Sequence, residues 1–229
     1  MLALKKIDIG SGGFKRPGHI GIDILPPGGN NHDIDIVCDI EREQWPIEDN
    51  SVSHIFSSHC FEHVHLANLH HIFKEMTRIA SDGAKIEIWN PYAFHRDAHV
   101  IGHITYLTEE IYYHICCGLQ ARWAASLGGK WFIEEIRYHV DPLVIKSLEV
   151  IGINPDLAIN HFNNVVKEFG MFIVVDKTNG SSRQHWVFDR IMVDDTAAYG
   201  GPPMRETRNL NRRLLTVGQY VPQIKPEPL

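Results

Sequence analysis

At 229 residues, 44% of them hydrophobic, the chain can bury the core of one domain and still carry appendages. Its formal net charge of −6, with Lys and Arg scattered apart from Arg205, Arg208, Arg212 and Arg213, gives no basic footprint for nucleic acid. No run reaches the ~20 apolar residues of a membrane span, and Cys38, Cys60, Cys116 and Cys117 read as reduced thiols rather than a disulfide frame or zinc set.

The N-terminus reads as a strand rather than a signal peptide, so a soluble cytoplasmic protein is expected. Strands are predicted near 4–9, 18–24, 34–38, 53–58 and 84–90, the last four each short and rich in Ile, Val or Phe. The helix predicted over 66–80 carries Leu66, Leu69, Ile72, Phe73, Met76 and Ile79 at helical spacing, with Asp82-Gly83 as its stop. Thr108 before Glu109 and Glu110 predicts a capped start for another helix bearing Ile111, Ile115 and Leu119. A strand then returns over 131–139.

Asp141-Pro142 and Asn154-Pro155 each place a capping side chain before a first-turn proline, and Gly152 and Gly170 close the two segments. Val144, Leu148 and Ile151 form one apolar stripe; Ile159, Phe162, Val166 and Phe169 form the other. A helical insert at about 141–170 follows, as a cap over the sheet or a dimer surface. The runs 171–176 and 184–193, joined through Asn179-Gly180, read as a strand pair. Residues 1–195 are expected to form one domain, and the Gly-, Pro- and Arg-rich 196–229 an extended arm.

The richest chemistry lies near the start. Asp8, Gly10, Gly12 and Gly13 end the first strand, and Gly21-Ile-Asp23 ends the second. The glycines permit a tight turn and close approach to a ligand. At the carboxyl end of an open α/β sheet, a second-strand carboxylate such as Asp23 can accept both hydroxyls of a ribose. The dinucleotide fingerprint wants a full helix before that acid, whereas only 14–18, ending in Pro17-Gly18, separates the glycines from the second strand. Asp8 would repel a phosphate but suits an ammonium group. These features favour an amino-acid-bearing nucleoside.

Here the chain resembles the class I S-adenosylmethionine-dependent methyltransferases, in their compact bacterial form, over roughly residues 4–140. The resemblance rests on Asp8-x-Gly10-x-Gly12-Gly13, on Asp23, on Asp35-Ile-Val-Cys-Asp39-Ile40, and on an ordered series. That series is Trp45-Pro-Ile-Glu-Asp-Asn-Ser51, His54-Ile-Phe-Ser-Ser-His59, Phe61-Glu-His63, a helix, and Ser81-Asp-Gly83. It implies a Rossmann-like α/β fold with a seven-stranded, mostly parallel sheet, an antiparallel C-terminal strand and helices on both faces. It also implies S-adenosylmethionine as cofactor, with Asp8, Gly10, Ser11, Gly12, Asp23, Ile24, Asp39, Ile40, Ser58 and His59 around it. Within that set Asp23 would take the ribose, Asp39 the adenine amine and Asp8 the methionine ammonium.

A sulfonium already carries its leaving group, so the protein chiefly positions the acceptor and removes a proton where needed. The polar loop after the fifth strand is the expected substrate region. His95 or His99 is its candidate base, with His59 a third, and Asn90, Tyr92, Asp97, His103 and Tyr106 are candidate acceptor contacts. A rival reading takes His95, His99 and His103, four apart, as helical metal ligands, with His59 and His63 repeating the spacing. Gly102 and the loop-like composition weigh against it, so no metal is expected. Tyr112, Tyr113, Trp123 and Trp131 suit either an acceptor pocket or simple packing.

The expected activity is methyl transfer to a small-molecule acceptor, a secondary metabolite or sugar precursor, by direct displacement. Nucleic acid and membrane are not expected as partners, while a second copy of the chain is an open option. The alternatives are a non-catalytic methyltransferase-like partner subunit and a relative that transfers an aminopropyl or carboxypropyl group.

Overall fold

Alternation in the first apolar run has the expected result: Lys5–Ile9 forms β1, with Ile7 and Ile9 fully buried. The structure, a computed structural model, describes residues 3–28, 34–178, 188–194 and 213–220. β2 (Ile20–Asp23), β3 (Ile36–Val37), β4 (Val52–Ser58) and β5 (Ala80–Pro91) follow, paired in parallel as β3-β2-β1-β4-β5. Among the described residues no helix lies between β1 and β4. The short crossover with Pro17-Gly18 is therefore a loop, as its composition predicts.

Beyond β5 the sheet continues with β6 (Lys130–Val140), β7 (Val166–Asp176), β8 (Phe188–Asp194) and β9 (Arg213–Tyr220). Its full order is β3-β2-β1-β4-β5-β7-β6-β8-β9. β7 enters between β5 and β6, antiparallel to both, so the first seven strands make the expected mostly parallel sheet with its late antiparallel strand. The predicted pairing of 171–176 with 184–193 does not form. Both edges of β7 are already hydrogen-bonded, so β8 adds to the free side of β6, parallel to it, and β9 adds antiparallel to β8. Part of the expected arm thus lies in the sheet. Asn179-Gly180, Arg205, Arg208 and Arg212 lie outside the described residues.

The apolar face of the sheet carries Ile7, Ile55, Ile86, Ile88, Phe169 and Tyr138, all almost fully buried. Here α1 (Leu69–Ile79) packs, burying Leu69, Ile72, Phe73, Met76 and Ile79. Phe73 sits 5.3 Å from the ring of Trp131, whose Nε1 donates to Thr77 Oγ1 at 3.0 Å. Leu66 departs from the predicted stripe: it belongs to a preceding 3-10 turn, Leu66–Asn68, and is exposed. The helix also stops earlier than Asp82-Gly83, because Ala80 turns extended and pairs with Val52 as the start of β5.

α2 (Glu110–Tyr113) runs through a π-helical turn, His114–Gly118, towards α3 (Gln120–Leu127). Thr108 does not cap it. Glu109 occupies that place, and its carboxylate turns inward to accept from Tyr138 Oη at 2.8 Å. α4 (Pro142–Val150) and α5 (Pro155–His161) start as predicted, Asp141 accepting from Leu143 N at 2.8 Å and Asn154 from Leu157 N at 2.7 Å. The second helix was expected to reach Gly170. It ends at His161 because residues from Val166 onward are captured by β5 and β6, which moves Val166 and Phe169 onto a strand. No described helix is long and apolar enough to cross a membrane.

These placements leave one functional edge. Strand order reverses at β1, which has β2 on one side and β4 on the other, and in open α/β sheets the ligand crevice opens at the carboxyl ends of the strands flanking such a point.

Candidate functional site

The chain leaves β1 through Gly10, whose backbone N–H donates to Ile22 O at 2.9 Å and whose φ is +65°. A side chain there is excluded twice over, since a Cβ would fall 2.4 Å from Cys60 Sγ and the backbone is left-handed. Gly12, at φ +52°, turns its own N–H onto Asp23 Oδ2 at 2.8 Å, while Leu25 N donates to Asp23 Oδ1 at 3.0 Å. The two ends of the crossover are thereby locked together. Each Asp23 oxygen is oriented by one amide and has a second lone pair to offer a ligand.

A cavity of about 390 Å³ opens over this loop, lined by Gly10, Gly12, Asp23, Ile24, Leu25, Asp39, Ile40, Glu41, His59, Cys60, His63 and Val64. Seven of these come from the sequence expectation: Gly10, Gly12, Asp23, Ile24, Asp39, Ile40 and His59. Asp39 sits after β3, its Oδ1 accepting from Glu41 N at 3.0 Å. Glu41 fixes the far wall by accepting from His65 N at 3.0 Å and Asn68 Nδ2 at 2.7 Å. Asp8, Ser11 and Ser58 do not line the cavity. All three are buried, and Asp8 Oδ2 accepts from Arg16 N at 2.7 Å, which braces the glycine loop from behind. Leu25, Glu41, Cys60 and Val64 were not among the predicted contacts, although each sits within five residues of one, and His63 was named only as a rival metal ligand.

His59 stands at the end of β4 with φ +51°, a strained value for a non-glycine residue. Two carboxylates flank its ring. Its Nε2 lies 2.7 Å from Glu168 Oε2 on β7 and its Nδ1 3.2 Å from Glu62 Oε1, the latter at ion-pair distance without hydrogen-bond alignment. Glu168 Oε1 lies 2.6 Å from Nδ1 of the fully buried His139. Two carboxylates and two imidazoles thus run from the cavity wall into the sheet. Sequence pointed to His59, and to Glu62 as part of Phe61-Glu-His63, but not to Glu168 or His139, which sit inside strands with no local motif.

The 91–106 loop places its candidates elsewhere. His95 is buried, caps the 3-10 turn Arg96–His99 by accepting from Asp97 N at 3.2 Å, and is held below the usual imidazole pKa by burial, against the pull of Asp97. His99 stacks on Tyr106 at 4.7 Å and contacts Ala93 O through Nε2 at 3.1 Å. Neither histidine lines the cavity. Asn90 and Tyr92 are core residues because the strand runs on to Pro91: Asn90 donates to Tyr112 Oη at 3.2 Å, and Tyr92 packs on Phe169 at 5.7 Å. Burial, with Glu109 beside it, pushes the Tyr92 phenol well above its ordinary pKa. His95, His99 and His103 do not stack along a helix, since Gly102 breaks the segment at φ +97°. His103 instead meets His63 edge-to-face at 4.8 Å.

Comparison with known proteins bears on the fold. Residues 25–88 match the family model described as a methyltransferase domain. The fold is similar to a solved S-adenosylmethionine-dependent methyltransferase from Archaeoglobus fulgidus, at 16% identity over 76% of this chain and 87% of that one, with a TM-score of 0.53. Weaker likenesses include the complex between the Haloferax volcanii Trm112 methyltransferase activator and a methyltransferase (17% identity, 78% and 84% covered, TM-score 0.48). Another is an S-adenosylmethionine-dependent methyltransferase from Aquifex aeolicus (14% identity, 76% and 82% covered, TM-score 0.42). No curated protein matches the chain.

Proposed function

From a chain that has the class I S-adenosylmethionine-dependent methyltransferase fold and a methyltransferase-domain segment at 25–88, we propose an enzyme that methylates a small-molecule acceptor at the β1–β4 crevice. The observation that carries the reading is the shared cavity of Gly10, Gly12, Asp23, Asp39 and His59, with Asp23 preset by the Gly12 amide. S-adenosylmethionine fits these residues. Gly10 lets the loop close over Cys60, where a Cβ would clash, and the Asp23 carboxylate keeps lone pairs for vicinal hydroxyls.

When bound, that cofactor supplies a methyl group activated by a sulfonium. The chain's own work is binding, orientation and proton handling. Asp23 holds the ribose hydroxyls, Asp39 takes an exocyclic amine, and Ile40 and Val64 offer apolar walls to a flat ring. Asp8 acts from behind, through the Arg16 amide and the shape of the loop, rather than on the methionine ammonium. His59 takes the proton-handling role in this reading, in place of His95 or His99: it alone of the three lines the cavity, and because Nε2 faces Glu168 and Nδ1 faces Glu62, its ring must turn from one of these carboxylates to present a nitrogen to the acceptor. The carboxylates among the lining residues, Asp23, Asp39 and Glu41, make a poor seat for a polyanion. They support a small acceptor over a nucleic acid.

Thermal unfolding with S-adenosylhomocysteine tests the reading. At 100 times its dissociation constant a native-state ligand adds about 2.7 kcal/mol, a rise of roughly 5–10 °C for a chain of this size. The rise is expected in the wild type and largely lost in Asp23→Ala. Its absence in the wild type at saturating ligand overturns the enzyme reading in favour of a non-catalytic subunit.

A further inference from the structure

Five glutamates are buried among the described residues: Glu62, Glu75, Glu87, Glu109 and Glu168. Four of them have donors in place. Glu75 accepts from Trp45 N at 2.8 Å and from Arg78, Glu87 from Arg16 and Trp89, Glu109 from Tyr138, and Glu168 from His59. Glu62, only 2% exposed, is different: neither of its oxygens accepts a hydrogen bond, and its near neighbour is His59 Nδ1 at 3.2 Å. Burying a carboxylate without donors is costly unless a cation shares the site.

Such a site is at hand. One Glu62 oxygen and one nitrogen each from His63 and His103 all lie within 4.8 Å of one another. His63 Nδ1 faces Gly102 O at 2.9 Å and His103 Nδ1 faces Ala98 O at 3.0 Å. A carbonyl can only accept, so each Nδ1 carries the hydrogen and the lone pair of each neutral ring sits at Nε2. With each Nδ1 turned to a carbonyl, Nε2 is the nitrogen each ring has left for a cation, and the two rings meet edge-to-face at 4.8 Å beside a donor-less carboxylate. They can share a cation, and backbone-anchored imidazoles of this kind are the usual form of a histidine metal ligand.

The surrounding chain is braced for the same purpose. Ile104 N and Thr105 N donate to Glu62 O at 2.8 and 3.1 Å, and Thr105 Oγ1 donates to Val64 O at 2.5 Å. The 3-10 turn Phe61–His63 and the start of the 103–106 segment are thereby stapled together. Coordination at about 2.1 Å brings ligand atoms to roughly 3.4 Å from each other, a contraction that rotation of the exposed His63 and half-buried His103 can supply.

We infer that Glu62, His63 and His103 form a site for one divalent transition cation of the zinc class, set in the wall of the cofactor cavity where His63 lines it. Two imidazoles and a carboxylate suit Zn2+ and its neighbours rather than Mg2+ or Ca2+, and they leave coordination positions open towards the cavity. Resting on the methyltransferase reading, those open positions would take an oxygen of the acceptor. That narrows the acceptor class to molecules bearing a hydroxyl or carbonyl beside the reacting atom.

Co2+ is the probe, titrated into chelator-treated, dialysed protein and followed by its visible absorption, with bound metal counted by elemental analysis. About one equivalent is expected in the wild type and in His65→Ala, an exposed histidine outside the cluster. His103→Ala and Glu62→Gln are expected to weaken binding by about 100-fold or more; far-ultraviolet dichroism establishes that each variant folds. Wild-type protein with no binding below millimolar Co2+ overturns the site. So does undiminished stoichiometric binding in a His63→Ala, His103→Ala double variant. The S-adenosylhomocysteine shift, measured on the same samples, separates the two readings: metal bound without the shift leaves the site standing and removes the methyltransferase assignment, and the shift without metal does the reverse.

Discussion

His59 and Glu168, 109 residues apart in sequence, meet at 2.7 Å between Nε2 and Oε2, with His59 on the cavity wall and Glu168 almost fully buried. Replacing His59 by Gln, under the proposed function, should lower kcat by at least about 100-fold while leaving the S-adenosylhomocysteine shift in place, because Asp23 and the glycine loop are untouched. Equal loss of turnover and ligand binding would instead mean that His59 supports the pocket wall and takes no proton.

Glu168 itself holds two histidines at once, and His139 is fully buried. Removing one member of a buried polar contact, so that the other is left unsatisfied, costs about 1–3 kcal/mol, more where a charge is involved. Glu168→Gln should therefore lower the urea midpoint strongly, and Glu168→Gln combined with His139→Gln should recover part of the loss. No recovery in the double variant would show that the two side chains are not energetically coupled.

Gly10→Ala tests the crowding under the loop. The left-handed backbone costs about 1–2 kcal/mol with a Cβ, and the Cys60 contact at 2.4 Å adds to it. Cys60→Gly should relieve the second contribution only, so a double variant stays less stable than Cys60→Gly alone. Differential scanning calorimetry of the four proteins checks this.

Thr77→Val conserves volume but strands the Trp131 indole N–H, which donates to Thr77 Oγ1 at 3.0 Å inside the core. A loss of about 1–3 kcal/mol is expected. A neutral effect by chemical denaturation would mean that the indole finds another acceptor.

Burial pushes the His54 imidazole down to about 4, against the pull of Glu87 and with help from His19, Arg16 and Lys6; His19, 2.8 Å away through its Nε2, is lowered too. The unfolded chain thus takes up protons near pH 6.5 that the folded chain refuses. Stability from this group is fully present above pH 6.5, falls as pH drops through the window from 6.5 to about 4, and levels off below it. The loss is expected at about 2–3 kcal/mol. His54→Gln should flatten the profile over that window in urea unfolding at pH 7 and pH 4.5. An unchanged slope would place the acid sensitivity elsewhere.

What could be read from the chain was whatever depends on neighbours in sequence. Gly10, Gly12 and Asp23 were legible because a turn, a left-handed backbone and a strand-end carboxylate are local demands on residue type. The first five strands and α1 were legible because burial on one face imposes a period of 2 or 3.6. Asp141 and Asn154 were legible as caps for the same reason.

Other features were decided only when distant segments met. Val166 and Phe169 fit a helical stripe by spacing, yet β5 and β6 both offered open hydrogen-bonding edges, and filling them made β7. Periodicity over a few residues cannot register an edge supplied from 80 residues away. That same insertion carries Glu168 to His59, and Gly102 breaks the His95–His99–His103 repeat so that His103 turns to His63 and Glu62. The sequence by itself determined the glycine loop after β1, whose geometry is set by the torsions of a few adjacent residues. The histidine and carboxylate chemistry around it was settled only by tertiary structure, because charges pair through space wherever the sheet order brings them together.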